Sequence, residues 1–310
     1  MKRLRIVLAG AVLLSSVALF GRTSSFFELS VGGGWSSMGY RMSNELQPGL
    51  TARQNGSYGF NAHIGYGFQF NRYVGVGIGA DLSRYGSTAT LNGNAVWQGV
   101  SDTDGELYDH ITAVSNWKDV QEVYMVEVPL ALYLRFPIAT DVRLFAEVGA
   151  KLCLPIMSKG AYSGNLQHTG FYEPWMLTLS EVPSHGFYSS VMLSDYDLRT
   201  NKMTVAGFVK IGVEGPVDKL RHVWIFGAIY GTMHFMPAVD TDHAAVLGWR
   251  NDTHKPEQLA AHAFMNDYNP IYMTDITRGN VNPLAVGAEI GVRFRFSHFK
   301  QHKGCMCEEE

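Results

Sequence analysis

Residues 124–136 read YMVEVPLALYLRF. Tyr124, Val126, Val128, Leu130, Leu132, Leu134 and Phe136 are apolar without exception, and Met125, Glu127, Pro129, Ala131, Tyr133 and Arg135 fall between them. Strict alternation over that length marks a β-strand, because successive strand side chains point to opposite faces. A helix would scatter Leu130, Leu132 and Leu134 around its circumference.

The same period recurs along the chain. Residues 142–154 put Val142, Leu144, Ala146, Val148, Ala150, Leu152 and Leu154 on one face, with Glu147, Lys151 and Cys153 on the other. Residues 284–296 set Leu284, Val286, Ala288, Ile290, Val292, Phe294 and Phe296 against Glu289, Arg293 and Arg295. Segments 203–213, 58–70 and 74–82 alternate as clearly, the last with Asp81 on the minor face. Segment 27–35 is weaker, with Glu28 on its minor face, and 223–235 is apolar on both faces, so its orientation stays open. These are eight strands, most of them as long as the roughly 9–11 residues that a tilted membrane-crossing strand needs.

The connections alternate long and short. About 42–56, 88–118, 160–201 and 237–281 are long; Asn71-Arg72, Ala139-Thr140-Asp141 and about 215–222 are short. Short turns at one end, longer loops at the other and an even strand number are the pattern of a transmembrane barrel.

Composition fits. The 310 residues include 33 glycines, 12% aromatics and only 17% charged residues. Disordered chains are poor in aromatics and rich in charge. A net charge of -3 offers no footprint for nucleic acid. Mean hydropathy is -0.04, and past the amino terminus no apolar run approaches the ~20 residues of a membrane helix.

The amino terminus, MKRLRIVLAGAVLLSSVALFGR, has the form of an export signal. Lys2, Arg3 and Arg5 head an apolar segment from Ile6 to Leu14, and Ser16-Val17-Ala18 supplies small residues for cleavage after Ala18. The predicted layout is a signal peptide at 1–18, a barrel at 24–299 and a short tail at 300–310.

A soluble sandwich would also alternate, and the minor face decides between them. It is rich in glycine and sparse in Lys and Glu, a poor solvent surface. The apolar face carries Trp35, Tyr58, Phe68, Phe70, Tyr124, Phe136, Phe294 and Phe296 near segment ends, in the manner of aromatic girdles at two membrane interfaces. The inward set is then Glu28, Asp81, Glu127, Arg135, Glu147, Lys151, Lys210, Glu289, Arg293 and Arg295. An eight-stranded barrel is just wide enough for side chains to fill, and buried charges must pair, so this set is expected to form a salt-bridged plug. The inward glycines are expected to leave room for its long Arg and Lys chains. An ion path through a rearranging network is the alternative.

On these features the chain resembles the small outer-membrane β-barrel proteins, the group around the OmpA membrane domain and OmpX. The resemblance covers residues 24–299 and includes the final strand LAVGAEIGVRFRF, which ends on an aromatic. It implies an all-β, eight-stranded, antiparallel up-and-down transmembrane barrel with four long outer loops. It implies a Gram-negative outer membrane, with both chain ends periplasmic. It also implies contact with outer-membrane lipid and lipopolysaccharide, the barrel-assembly machinery during insertion, and an extracellular protein or glycan partner at the loops. The chain departs from the pattern by running past Phe296 to Glu310, so that Phe296 and Phe299 compete as the terminal aromatic.

Such barrels share a fold more than an activity. Barrel lipid A deacylases use His and Ser two residues apart on a strand; no histidine here has that partner, and His110-Ile111-Thr112 is the nearest approach. No enzyme is expected; the expected role is structural, adhesive or partner-binding through the outer loops, with a narrow channel for ions or small hydrophobic solutes as the alternative and a lipid-modifying barrel enzyme as the second. Asp102-Thr103-Asp104-Gly105-Glu106 lacks the later ligands of a calcium loop and reads as a turn. Asp240, Asp242, His243, His254 and His262 lack metal-site spacing. No metal and no cofactor are expected. Residues 253–264 carry a helix start, and 165–200 are rich in aromatics, which suggests loops folded on themselves. Cys305 and Cys307 stand too close for an unstrained disulfide, and their role stays open.

Overall fold

The structure is a computed structural model that describes residues 24–42, 49–102, 104–239, 277–278 and 280–297. The expected signal peptide, the helix start at 253–264, the acid and histidine group from Asp240 to His262, Phe299, and the tail with Cys305 and Cys307 lie outside the described residues.

Among the described residues, twelve strands follow in chain order: β1 (Ser24–Ser37), β2 (Arg41–Met42), β3 (Leu50–Gln69), β4 (Val74–Ser101), β5 (Leu107–Pro137), β6 (Arg143–Tyr172), β7 (Leu177–Ser180), β8 (Ser189–Asp197), β9 (Thr204–Pro216), β10 (Val223–His234), β11 (Thr277–Arg278) and β12 (Leu284–Ser297). Eight of them close a ring in the order β1-β3-β4-β5-β6-β9-β10-β12, with β12 returning to β1. Every pairing in it is antiparallel and, apart from the closing pair β12–β1, joins ring strands that are consecutive along the chain. This is an up-and-down barrel, which removes sheet edges by closure. Ser24 pairs with both Ser297 and Gln69, so the two ends of the ring lie at the same rim as the short turns.

The outer wall is apolar where the sequence alternates. Leu29, Val31, Ile64, Ile78, Leu130, Val148, Ile211, Ile229 and Ile290 all point outward and are exposed. β10 resolves the open orientation: Trp224, Phe226, Ala228, Thr232 and His234 are buried inside, while Ile225, Ile229 and Met233 face out. An uninterrupted belt of this size on a soluble protein would be a gross exposed patch. Around a barrel it is the lipid-facing band. On β5 the belt runs from Phe136 to Tyr124, about twelve steps of ~3.4 Å, which at a tilt of roughly 40° stands about 30 Å tall.

Three of the long connections differ from the sequence expectation: within 42–56, β3 already begins at Leu50 and pairs with β4 from Gly93 to Ser87. Residues 88–118 are no loop: β4 and β5 run on to a tight tip at 102–106. Residues 160–201 likewise begin as strand, since β6 runs to Tyr172 and β8 returns along it from Gln167 to Lys159. β5 alone is 31 residues long, roughly 100 Å of extended chain, about three times what a bilayer requires.

The reason is a reversal of polarity at the belt edge. On β4 the outward residues change from Val74, Val76, Ile78, Ala80 and Leu82 to Arg84, Gly86, Thr88, Thr90 and Asn92. At the same height the inward residues change from Asp81 to Tyr85, Ala89 and Leu91, all buried. Arg84 marks the edge on the outer face; it ion-pairs with Glu122 of β5 and donates to the Tyr58 carbonyl. Above it the sheet is built as in a soluble protein, with an apolar inside and a polar outside. Leu50, Ala52, Ala89, Leu91, Ala95, Val114, Trp117 and Leu166 form its core. β-Bulges sit at this edge and above it, including a step past Pro155, where Met125 pairs with Pro155 and Tyr124 with Met157. Pro155 has no N–H to give the ladder, and bulges of this kind bend a strand.

Candidate functional site

The inward face carries a set of paired charges in two clusters. Nearest the turn rim, Glu214 of β9 receives the guanidinium groups of Arg295 and Arg293, the latter at 2.5 Å. Arg293 of β12 also binds Glu28 of β1 at 2.7 Å and Glu147 of β6. Lys210 of β9 stands 2.7 Å from Glu289 and 3.4 Å from both Glu28 and Glu147. Toward the outer rim, Lys151 of β6 bridges Asp81 at 2.6 Å and Glu127 at 2.8 Å, and Asp81 pairs in turn with His63. Tyr85 donates to Glu127 at 2.7 Å.

All ten lumen residues singled out from the sequence point inward. Nine of them join this set directly. Arg135 is the looser tenth: its nearest acid is Glu214 at 3.6 Å, and its guanidinium lies over the Phe26 ring, 4.4 Å from the centroid. Two members were missed. Glu214 sits on the Lys210 face one step beyond the alternating run, and His63 carried no formal charge in the count.

Aromatic rings fill the space between the charges. Phe26, Tyr133, Phe145 and Phe226 are buried inside, and Arg293 lies over Phe145 and Phe226 at 4.1 and 4.4 Å. This corrects the expected role of the inward glycines. A Cβ at Gly67 would meet Phe26 at 2.1 Å, one at Gly77 would meet Tyr133 at 2.5 Å, and one at Gly291 would meet Phe226 at 2.5 Å. The glycines make room for rings, and the rings carry the cations. A cavity of about 20 Å³, room for one water, lies between Asp81, Glu147, Lys151, Lys210 and Glu289.

At the barrel end opposite the short turns lies an apolar cluster. Met38 and Tyr40 after β1, Leu198, Ala238, Val239 and Val281 pack over Val123, Met125, Cys153, Ala206 and Ala285. Tyr40 donates to Gln121 at 2.8 Å within this layer.

The eight aromatics assigned to girdles all lie on the outer wall. Phe68, Phe70, Phe136, Phe294 and Phe296 gather toward the turn rim, Trp35, Tyr58 and Tyr124 toward the opposite edge of the belt. Tyr73 at the first row and Phe235 at the second extend them.

Higher in the extension a second buried group forms. His110 and Thr112 of β5 share the inner face with His168 of β6; the two imidazoles stand 3.2 Å apart and Thr112 Oγ1 lies 3.0 Å from His168 Nδ1. Burial drives the His110 pKa down to about 3, helped by the neighbouring ring, and the His168 pKa down to about 4. Tyr108, Tyr172, Val100 and Phe187 cover them. The aromatic segment 165–200 thus folds partly inward, while Trp175 and Met176 remain exposed. Asp102 is also engaged: it accepts the N–H groups of Asp104 and Glu106 and the Tyr172 hydroxyl, capping the hairpin tip.

No family model matches the chain, and no curated protein matches it significantly. Solved structures do. Neisserial surface protein A shares 12% identity over 88% of this chain and 97% of its own, with a TM-score of 0.34. OprG of Pseudomonas aeruginosa shares 9% over 89% and 97%, with a TM-score of 0.33. Ail of Yersinia pestis, solved with the heparin analogue sucrose octasulfate, shares 10% over 89% and 100%, with a TM-score of 0.31. The fold of the present chain stands on its own strand ring, and in that ring it resembles the small outer-membrane β-barrel proteins: eight antiparallel strands, an apolar outer belt, and both ends at the turn rim.

Proposed function

We propose that the chain is an integral outer-membrane barrel that conducts nothing and acts by holding a rigid β-structure above the membrane for a partner to bind. The observation that carries this reading is the continuation of β4, β5 and β6 far beyond the lipid-facing belt as one hydrogen-bonded sheet, packed by β8. A pore needs no such tower, and a lumen crossed by ion pairs with an apolar cluster at its outer end opposes a continuous water path. The ring's two ends and its short turns then lie in the periplasm, and the extension faces outward. Lipid and lipopolysaccharide surround the belt, the assembly machinery inserts it, and the partner is an extracellular protein or glycan. The reading is non-enzymatic: Thr112, the nearest thing to a nucleophile beside a histidine, is sealed under Tyr108 and Phe187.

Three experiments test it. In planar bilayers the refolded chain should give no steps above background; discrete, reproducible conductance would favour a narrow channel instead. On whole cells, replacing residues 94–113 by a short turn should abolish binding to immobilised host proteins or glycans while the barrel stays folded. Binding that survives would remove the role assigned to the extension. A membrane-impermeant thiol reagent should label Cys305 and Cys307 only in permeabilised cells if the carboxyl end is periplasmic.

A further inference from the structure

Where the lumen network meets the apolar cluster, three metal-ligating side chains converge from separate strands. Glu127 of β5, Cys153 of β6 and His234 of β10 each place a donor atom so that all three atoms lie within 4.8 Å of one another, and all three residues are fully buried. Glu127 and Cys153 are direct neighbours in the β5–β6 ladder, whereas His234 reaches them across β9.

The ordinary structural needs of these residues do not account for the arrangement. His234 Nδ1 stands 3.4 Å from Thr204 Oγ1, and its Nε2 is buried with no hydrogen-bond partner. A buried imidazole nitrogen without a partner is costly unless something occupies it. Cys153 makes a long contact, 3.7 Å, to the Lys151 carbonyl, its sulfur accepts the Ala206 N–H, and it is in no disulfide. Glu127 is held by Tyr85 on one oxygen and Lys151 on the other, and each oxygen keeps a second lone pair.

We propose that Cys153, His234 and Glu127 form a site for one divalent transition-metal ion of the zinc class. Thiolate, imidazole and carboxylate together are a zinc donor set, and three protein ligands leave a fourth position for water. With bonds of about 2.3 Å to sulfur and 2.0 Å to nitrogen, donors around a tetrahedral ion stand roughly 3.5 Å apart, so small side-chain rotations close the site. On binding, the sulfur–metal bond replaces the S–H bond and the proton leaves to solvent. The ion and the new thiolate together add one positive charge. The ion would tie β5 and β6 to β10 across the barrel mouth.

The test is Co²⁺ titration of the full refolded chain and of a Cys305→Ser/Cys307→Ser background that removes the tail thiols. Both should take up one equivalent and show near-ultraviolet thiolate-to-cobalt absorption with tetrahedral visible bands, displaced by Zn²⁺. Cys153→Ser in that background should lose the absorption, and His234→Gln should weaken binding at least tenfold. The folded state of each variant is checked by its heat-modifiable gel mobility. If Cys153→Ser fails to fold, His234→Gln decides alone. An absorption that vanishes with the tail cysteines, or that persists unchanged in Cys153→Ser or in His234→Gln, or no uptake by the folded chain, overturns the proposal.

Discussion

Arg293 is the side chain on which the lumen turns, and replacing it with methionine is the most direct perturbation. Its guanidinium is fully buried and meets three carboxylates, Glu28, Glu147 and Glu214, while its plane lies over Phe145 and Phe226. Methionine keeps much of the apolar volume but takes one cation from three buried carboxylates, which Lys210, Arg295 and Arg135 then balance only in part. Breaking a buried ion pair from one side costs about 3–5 kcal/mol. Lys210 remains within reach of Glu28 and Glu147, so the lower half of that range is expected for Arg293→Met. For a urea dependence of about 2 kcal/mol per molar, this lowers the unfolding midpoint by roughly 2 M. Arg293→Lys keeps the charge but not the fork, and should fall between. Adding Glu147→Gln to Arg293→Met removes the carboxylate left with only the shared, 3.4 Å contact to Lys210, and should recover part of the loss. The control is Arg221→Met, whose partner Asp141 is half exposed; surface pairs of that kind contribute at most about 1 kcal/mol. The assay is reversible unfolding in detergent or vesicles, followed by gel mobility and tryptophan fluorescence. If Arg293→Met unfolds at the same urea concentration as Arg221→Met, the charges are not acting as a buried network and the reasoning fails.

Three further outcomes are expected. Gly67→Ala drives a Cβ into the Phe26 ring and should cost about 1–3 kcal/mol; Gly227→Ala, with nothing within 4 Å, should be neutral or slightly stabilising. Arginine at Ile229, mid-belt on the outer wall, should cost about 2–4 kcal/mol in a bilayer, whereas Val191→Arg on the exposed face of β8 should change stability by less than about 0.5 kcal/mol; equal costs would mean the belt edge is misplaced. His110 and His168 are held neutral with pKa values near 3 and 4, below the unfolded value near 6.5, so the unfolded extension binds more protons between those limits. The stability they confer is complete above about pH 6.5 and falls with acid at about 1.4 kcal/mol per pH unit for each histidine. Protease nicking of 94–171 should therefore rise between pH 6 and 4, and His110→Gln/His168→Gln should flatten that rise; an unaltered profile would place the titration elsewhere.

The eight membrane strands were legible because lipid imposes one rule on every outward side chain, and that rule repeats every second residue from Tyr124 to Phe136. The extension was not legible because the rule reverses within a single strand. On β4 the apolar parity is even through Leu82 and odd from Tyr85, so a scan for alternation loses phase at Arg84 and reports a loop. On β5 it shifts again at Asn116, a bulge residue with φ of 54°, above which Val114, Thr112, His110 and Tyr108 point inward. β10 defied orientation for a related reason: Trp224 and Phe226 are lumen residues that look as apolar as the lipid-facing Ile225 and Ile229. The convergence of Glu127, Cys153 and His234 leaves no local trace at all, because neighbouring barrel strands meet at registers that only closure of the ring sets.

That reversal also says how one sheet is stabilised in two solvents. Inside the belt, lipid tails are as apolar as leucine, so burying aliphatic groups in the lumen would gain little, and well-paired charges threaded between rings can specify the interior instead. Above the belt water returns, and burial of Trp117, Leu91 and Leu166 again drives packing at about 25 cal/mol per Å². The backbone ladder does not register the change: β5 and β6 stay paired from Pro137 and Arg143 to Asp109 and Phe171, interrupted only by bulges. The tip is therefore fastened to the membrane-embedded wall by continuous strand, not tethered by loop. A partner that binds it meets a surface already ordered, so less conformational entropy is lost on association than with a flexible loop of equal length.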